Sequence, residues 1–97
     1  MVETVIKPIC TYEFSCGIIR NFDGRWLAVN EVDDRGWWIP AGAVDANESF
    51  LDGLHRETLE EAGIKVKVLG VFRVEHRVSK SHCRMRVIYF GEPIDKN

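Results

Sequence analysis

Between Ser49 and Gly63 the chain carries a helix signal bounded at both ends, and the rest of the fold must be arranged around it. Ser49 is a good N-cap, and Asp52 stands at the third helical position, so the two make a capping-box-like start. Gly63 supplies a left-handed stop. The spacing predicts a helix over residues 50–62. Leu51, Leu54, Thr58 and Ala62 line a face suited to pack on a sheet. Glu57, Glu60 and Glu61 fall at spacings of three and four on another face, within an arc of roughly 100°. Like charges that close repel unless a cation sits among them. An oxygen-only donor set suits Mg²⁺ or Mn²⁺. Residues 42–64, GAVDANESFLDGLHRETLEEAGI, therefore read as a metal site built for phosphate chemistry. Gly53 weakens the helix by about 1 kcal/mol relative to alanine. Its missing side chain leaves room for a ligand or a close backbone, or serves tight packing alone.

The flanks read as strands. Residues 12–20 and 25–32 are rich in aromatic and aliphatic side chains, with Asn21, Phe22, Asp23 and Gly24 as a turn signal between them, which predicts a hairpin. Residues 33–36 form another turn. A short strand follows at Trp37, Trp38 and Ile39, ended by Pro40, which cannot donate to a ladder. Residues 41–48 read as a loop. Beyond the helix, residues 65–78 hold one or two strands with a break near Gly70, residues 79–83 a polar loop, and residues 84–91 a last strand. In that last strand Arg84 and Arg86 share one face and Met85 and Val87 the other. The closing strand would leave an unpaired edge. Strands, one helix and strands again make an α/β (α+β) domain, a mixed β-sheet packed against the helix, and exclude a bundle or a sandwich.

At 97 residues the chain is one small domain. It has no apolar run near the roughly 20 residues that cross a bilayer, and MVETVIKPIC lacks the zones of a secretory signal. Cys10, Cys16 and Cys83 match no metal-ligand spacing and read as free thiols in a reducing, cytoplasmic compartment. The net charge of −2 predicts no nucleic-acid polymer as partner. The charge is unevenly spread. Residues 45–61 carry Asp45, Glu48, Asp52, Glu57, Glu60 and Glu61 against Arg56, and residues 71–86 carry Arg73, Arg77, Lys80, Arg84 and Arg86 against Glu75. A metal-collecting element and a separate basic element fit a ligand with both metal and phosphate, although two solvated faces give the same pattern.

The stretch 42–64 resembles the Nudix box of the Nudix hydrolase superfamily. Gly42, the pair Arg56 and Glu57, the pair Glu60 and Glu61, Gly63 and Ile64 all fall in register. Trp38, Ile39, Pro40, Ala41 and Gly42 resemble the strand that leads into the box in many relatives, and the resemblance covers residues 12–92. It implies a single Nudix domain over 1–97 and Mg²⁺-dependent hydrolysis of the diphosphate linkage in a nucleoside diphosphate joined to another moiety. By the same resemblance Glu57, Glu60 and Glu61 bind Mg²⁺, with Mn²⁺ as substitute, and the Ala41 main-chain carbonyl adds a ligand. Glu60 or Glu61 orients or deprotonates the water, or the base lies outside the box, where Glu75 is the candidate. Arg56, one turn before Glu60, aims the carboxylates through an ion pair. Gly42, Glu48 and Gly63 are structural.

The sequence also departs from the pattern. Thr58 stands where a bulky aliphatic residue is usual, and its methyl group is expected to pack. Ala41 and Asn47 replace frequent glycines, and asparagine tolerates the left-handed conformation expected at 47. Relatives usually continue with a further helix after the strand ending near Tyr89, so the usual C-terminal helix is expected to be lacking. A compact member, a shortened chain and a domain completed by a partner subunit, a homodimer included, all remain open. So does a catalytically weak module that binds metal and nucleotide. Trp38, Phe14, Arg73, Glu75 and Arg84 are the expected contacts to a small nucleotide substrate. Because Trp37 and Trp38 point to opposite faces of their strand, at most one is expected to reach a ligand while the other packs.

Overall fold

The computed structural model describes residues 8–31 and 36–95. Its elements are β1 (Cys10–Ile19), β2 (Val29–Glu31), β3 (Gly36–Trp38), β4 (Ala41–Ala43), α1 (Phe50–Ala62), β5 (Val66–Val78) and β6 (His82–Pro93). Four strands form a mixed sheet in the order β4-β1-β6-β5, and β2 and β3 form a separate two-stranded ribbon. β1 and β6 run parallel over ten register pairs, from Cys10 with His82 to Ile19 with Gly91. Parallel neighbours need a crossover, and α1 lies in it. The mixed sheet packed against one helix is the expected architecture.

Alternation along β1 sets the two faces of the sheet. Ser15, Gly17 and Ile19 face α1. The Ser15 hydroxyl donates to the Phe50 carbonyl at 2.6 Å, and a Cβ at Gly17 would lie 2.9 Å from Leu54 Cδ1. Ile19, Leu54, Thr58 and Ser15 are fully buried there, with Val66, Cys83 and Val87 around them, while Cys16 is buried on the opposite face. The helix signal is realised as read. Ser49 and Asp52 close a reciprocal capping box, and Gly63 caps the end at φ 69°. Asn47 takes φ 66°. Thr58 is completely buried, and its hydroxyl donates back to the carbonyls of Leu54 and His55 at 3.0 and 3.1 Å. The polar group is thereby satisfied inside the helix. Gly53 serves packing, since a Cβ there would meet Val44 Cγ2 at 3.2 Å and Ser15 Oγ at 3.5 Å. Leu51 departs from its expected burial and is 40% exposed, because α1 packs on β1 and β4 through Gly53, Leu54 and Thr58.

The remaining differences have backbone causes. The turn at Asn21 forms, with Asn21 Oδ1 accepting from Asp23 and Arg25 N–H, but among the described residues the arm after it makes an isolated Arg20–Trp26 bridge just past β1, where Leu27 N–H donates to the Ile19 carbonyl at 2.8 Å. β1 already has β4 and β6 as neighbours, so residues 29–31 pair with β3 instead. The expected loop over 41–48 begins as β4, in which Ala41, Gly42 and Ala43 oppose Cys16, Ser15 and Phe14. Small residues carry little strand propensity, and the open backbone edge of β1 recruits them. β5 is one strand whose register shifts between Val68 and Gly70 and between Val71 and Arg73. β6 starts at His82, within the expected loop. Rather than leaving an open edge, it is central, flanked by β1 and β5.

Candidate active site

Arg56 organises the acidic region. Its guanidinium donates from Nε to Glu48 Oε2 at 2.7 Å and from Nη2 to Glu48 Oε1 at 3.0 Å and the Ala43 carbonyl at 2.9 Å. Nη1 donates to Glu57 at 3.0 Å and Glu60 at 3.2 Å, and Asp45 lies 3.3 Å from Nε. A planar fork with five donors suits this set, where a point charge would not. Glu48 also accepts from the Asp45 N–H at 2.8 Å, which ties the loop to the helix. The Arg56 hydrogen bonds hold the Glu48 carboxyl below its ordinary value. The converse effect raises Arg56.

Gly42 is the second determinant. A Cβ there would coincide with the Glu57 carboxylate, so glycine at 42 is what admits that group against β4. Gly17 N–H donates to the Pro40 carbonyl and Val44 N–H to the Glu13 carbonyl. Antiparallel alternation then turns the main-chain groups of Ala41 and Ala43 away from β1, toward the outer edge of β4. Arg56 already takes the Ala43 carbonyl there, and the Ala41 carbonyl points the same way two residues earlier.

On the other side of β4 lies a cleft of about 500 Å³ lined by Phe14, Ala41, Gly42, Ala43, Glu75, Arg77, Arg84 and Arg86. The Arg84 guanidinium carbon stands 4.7 Å from the centre of the Phe14 ring, a cation–π contact that holds both side chains. Glu75 binds Arg86 through Oε1, with Nε at 2.6 Å, and approaches Arg73 at 3.2 Å through Oε2. The Arg86 hydrogen bonds keep the Glu75 carboxyl below its ordinary value. Cys16 lies beneath the cleft, and burial pushes its thiol up, partly offset by the charge of Arg86.

The structure thus gathers two groups across β4. Glu48, Arg56, Glu57 and Glu60 meet on the helix side, and Phe14, Glu75 and Arg84 line the cleft. Glu61 is exposed at the end of α1. The expected convergence of Glu57, Glu60 and Glu61 does not occur. Among the described residues no three His, Cys, Asp or Glu side chains meet in a metal-holding cluster. Arg56 sits between Glu57 and Glu60 instead. Trp38 belongs to the β2–β3 ribbon, outside the cleft lining, and Trp37 and Trp38 are both exposed, at 70% and 55%, so neither packs as expected. Arg73 reaches the site only through Glu75. Sequence reasoning missed Asp45, the Ala43 carbonyl and Arg86 as site groups. Alternation places Arg86 beside Arg84, but its partner Glu75 follows from register, which no local pattern encodes.

A NUDIX domain model matches residues 14–96, and the chain belongs to the Nudix family. An RNA pyrophosphohydrolase of Halorhodospira halophila is 38% identical over 74 residues, 71% of this chain and 41% of that protein. A Nudix hydrolase structure from Nitrosomonas europaea aligns with TM-score 0.72 at 26% identity, covering 94% of this chain and 52% of the other. A Bacillus subtilis pyrophosphohydrolase variant aligns with TM-score 0.74 at 28% identity, covering 84% and 51%. The chain spans less than half the length of the curated relatives it matches. No described helix is long and apolar enough to cross a membrane.

Proposed function

We propose that this chain hydrolyses a diphosphate linkage in a nucleotide substrate, releasing a nucleoside monophosphate and phosphate or a phosphorylated moiety. The observation that carries the reading is the division across β4, with carboxylates against Gly42 on one side and a guanidinium-lined cleft on the other. The names of the relatives support the same class of reaction.

The donor set fits a hard divalent cation. It is all oxygen, and the missing side chain at Gly42 is what lets the Glu57 carboxylate stand against β4. Glu57, Glu60, Glu61 and the Ala41 carbonyl would hold Mg²⁺, which when bound neutralises phosphate charge and acidifies water. The chain's own groups do the rest. Arg77, Arg84 and Arg86 draw the phosphates into the cleft. Phe14 and Arg84 together present a flat, cationic surface to a base or sugar. Glu75 fixes the Arg86 fork. Glu60 or Glu61 accepts the proton as the water oxygen bonds to phosphorus and the bridging P–O bond breaks, the electron pair leaving with the departing phosphate.

The test is a hydrolysis screen with Mg²⁺ over nucleoside triphosphates, nucleotide sugars, dinucleoside polyphosphates and a 5′-triphosphorylated RNA oligonucleotide, run in ¹⁸O water and analysed by product mass. A phosphate-containing product labelled with ¹⁸O supports the reading, and no product from any substrate overturns it. A second reading, a nucleotide-binding module without turnover, draws on the Arg56 guanidinium lying between Glu57 and Glu60. Saturable calorimetric binding of a non-hydrolysable analogue, with no product in the screen, would favour it.

A further inference from the structure

We infer that β5 is a self-association edge, along which two copies of this chain pair antiparallel about a two-fold axis at His76. β5 ends the sheet order, so among the described residues its outer edge has no strand partner. An open edge of this kind is a template for another strand. Both register shifts lie before Arg73, and from Arg73 to Val78 the strand is regular against β6. That six-residue stretch contains no proline, and its Val74 and Val78 are 52% and 68% exposed.

The hydrogen-bonding phase of the edge follows from one contact. Ser79 N–H donates to the His82 carbonyl at 2.9 Å, which makes Ser79 and His82 a bonded pair. Alternation then commits Arg73, Glu75 and Arg77 to β6 and turns the main-chain groups of Val74, His76 and Val78 outward. An axis at Glu75 or Arg77 would set like charges against each other. An axis at Val74 would drive the bulged residues 70–72 into the pairing, and an axis at Val78 would run it off the strand. An axis at His76 keeps the pairing within the regular stretch. It sets Val74 against Val78 of the second copy on one face. On the other it sets Glu75 against Arg77 of the second copy, a charge-complementary pair. Glu75 and Arg77 line the cleft, so the second copy brings a guanidinium to its border.

Light scattering after gel filtration should give twice the chain mass, and a monomer at high protein concentration overturns the inference. His76→Pro removes an outward N–H that β6 does not use, so it should abolish the dimer while a cooperative melt is kept. A folded His76→Pro variant that remains dimeric overturns it. The register has an independent readout that does not depend on how that variant folds. In a Cys10→Ser background, His76→Cys should cross-link on mild oxidation. The two Cα atoms would be about 5.5 Å apart, within the disulfide range. Val74→Cys should not, because its copies would be about 14 Å apart. Equal cross-linking by both variants, or by Val74→Cys alone, refutes the axis.

Discussion

The Glu57 carboxylate occupies the space that a side chain at residue 42 would fill. Gly42→Ala therefore has somewhere to go only by expelling the far end of Glu57, a flexible group, and the fold itself should survive. Turnover should fall about 10²-fold or more, the usual cost of misplacing a reacting group by an ångström. Circular dichroism and a steady-state assay on the same sample check this. A Gly42→Ala variant with full activity would show that Glu57 is not used where it stands.

Arg56 tests the organisation of the carboxylates. Arg56→Lys keeps the charge but loses the fork that reaches Glu48, Glu57, Glu60 and the Ala43 carbonyl together. Divalent-metal affinity should weaken by about 10–100-fold, as when a group that orients metal ligands is lost. Calorimetric titration with Mn²⁺ reads the change directly. The melting temperature should fall in parallel, since Glu48 and Asp45 lose their shared partner.

Acid should unfold the domain through three carboxyls. Glu48 is lowered by Arg56, Asp52 by the Ser49 backbone and hydroxyl, and Glu75 by Arg86. A carboxyl with a depressed folded-state value binds fewer protons folded than unfolded. Its contribution is complete above the ordinary carboxylate range, near pH 4–4.5, and is lost as the pH falls through the folded value. Melting temperature should be level from neutral pH to about pH 5.5 and then decline. Glu75→Gln should make that decline shallower.

The thiols should separate by rate. Cys10 is exposed, whereas Cys16 and Cys83 are buried. Burial also keeps the Cys16 thiol protonated at neutral pH. A colorimetric thiol reagent should titrate one cysteine quickly in native protein and all three in denaturant. Fast modification of two would mean that the sheet opens around Cys16 or Cys83.

The helix ends give stability tests remote from the chemistry. Ser49→Ala removes the hydroxyl that accepts from the Asp52 N–H at 3.0 Å and should cost about 1 kcal/mol. Gly63→Ala forces a Cβ into the left-handed region, at about 1–2 kcal/mol. Urea unfolding of both variants measures these directly.

What could be read without coordinates was local. The cap at Ser49, the stop at Gly63, the left-handed Asn47 and the Glu48–Arg56 region depend on neighbours within a turn or two, and spacing encodes them. The pairing of β4 with β1 escaped because Ala41, Gly42 and Ala43 have side chains too small to signal a strand. The central place of β6 escaped because strand order is set by which backbone edges are already taken. The cleft was half legible. Phe14, Glu75 and Arg84 were separable by residue type, but the Glu75–Arg86 ion pair depends on the β5–β6 register. The three glutamates share a helix face, yet the Arg56 fork decides which of them are drawn together.

The ten parallel pairs between β1 and β6 join parts of the polypeptide made far apart in time. At roughly 5–20 residues per second, β6 leaves the ribosome about 4–14 s after β1. Until then β1 has only β4 and the helix beside it, and its other backbone edge is open to stray partners. Such long-range pairing also folds slowly once synthesis permits it. The nascent domain therefore passes through an obligatory interval in which one edge of β1 is unpaired and open to stray strands.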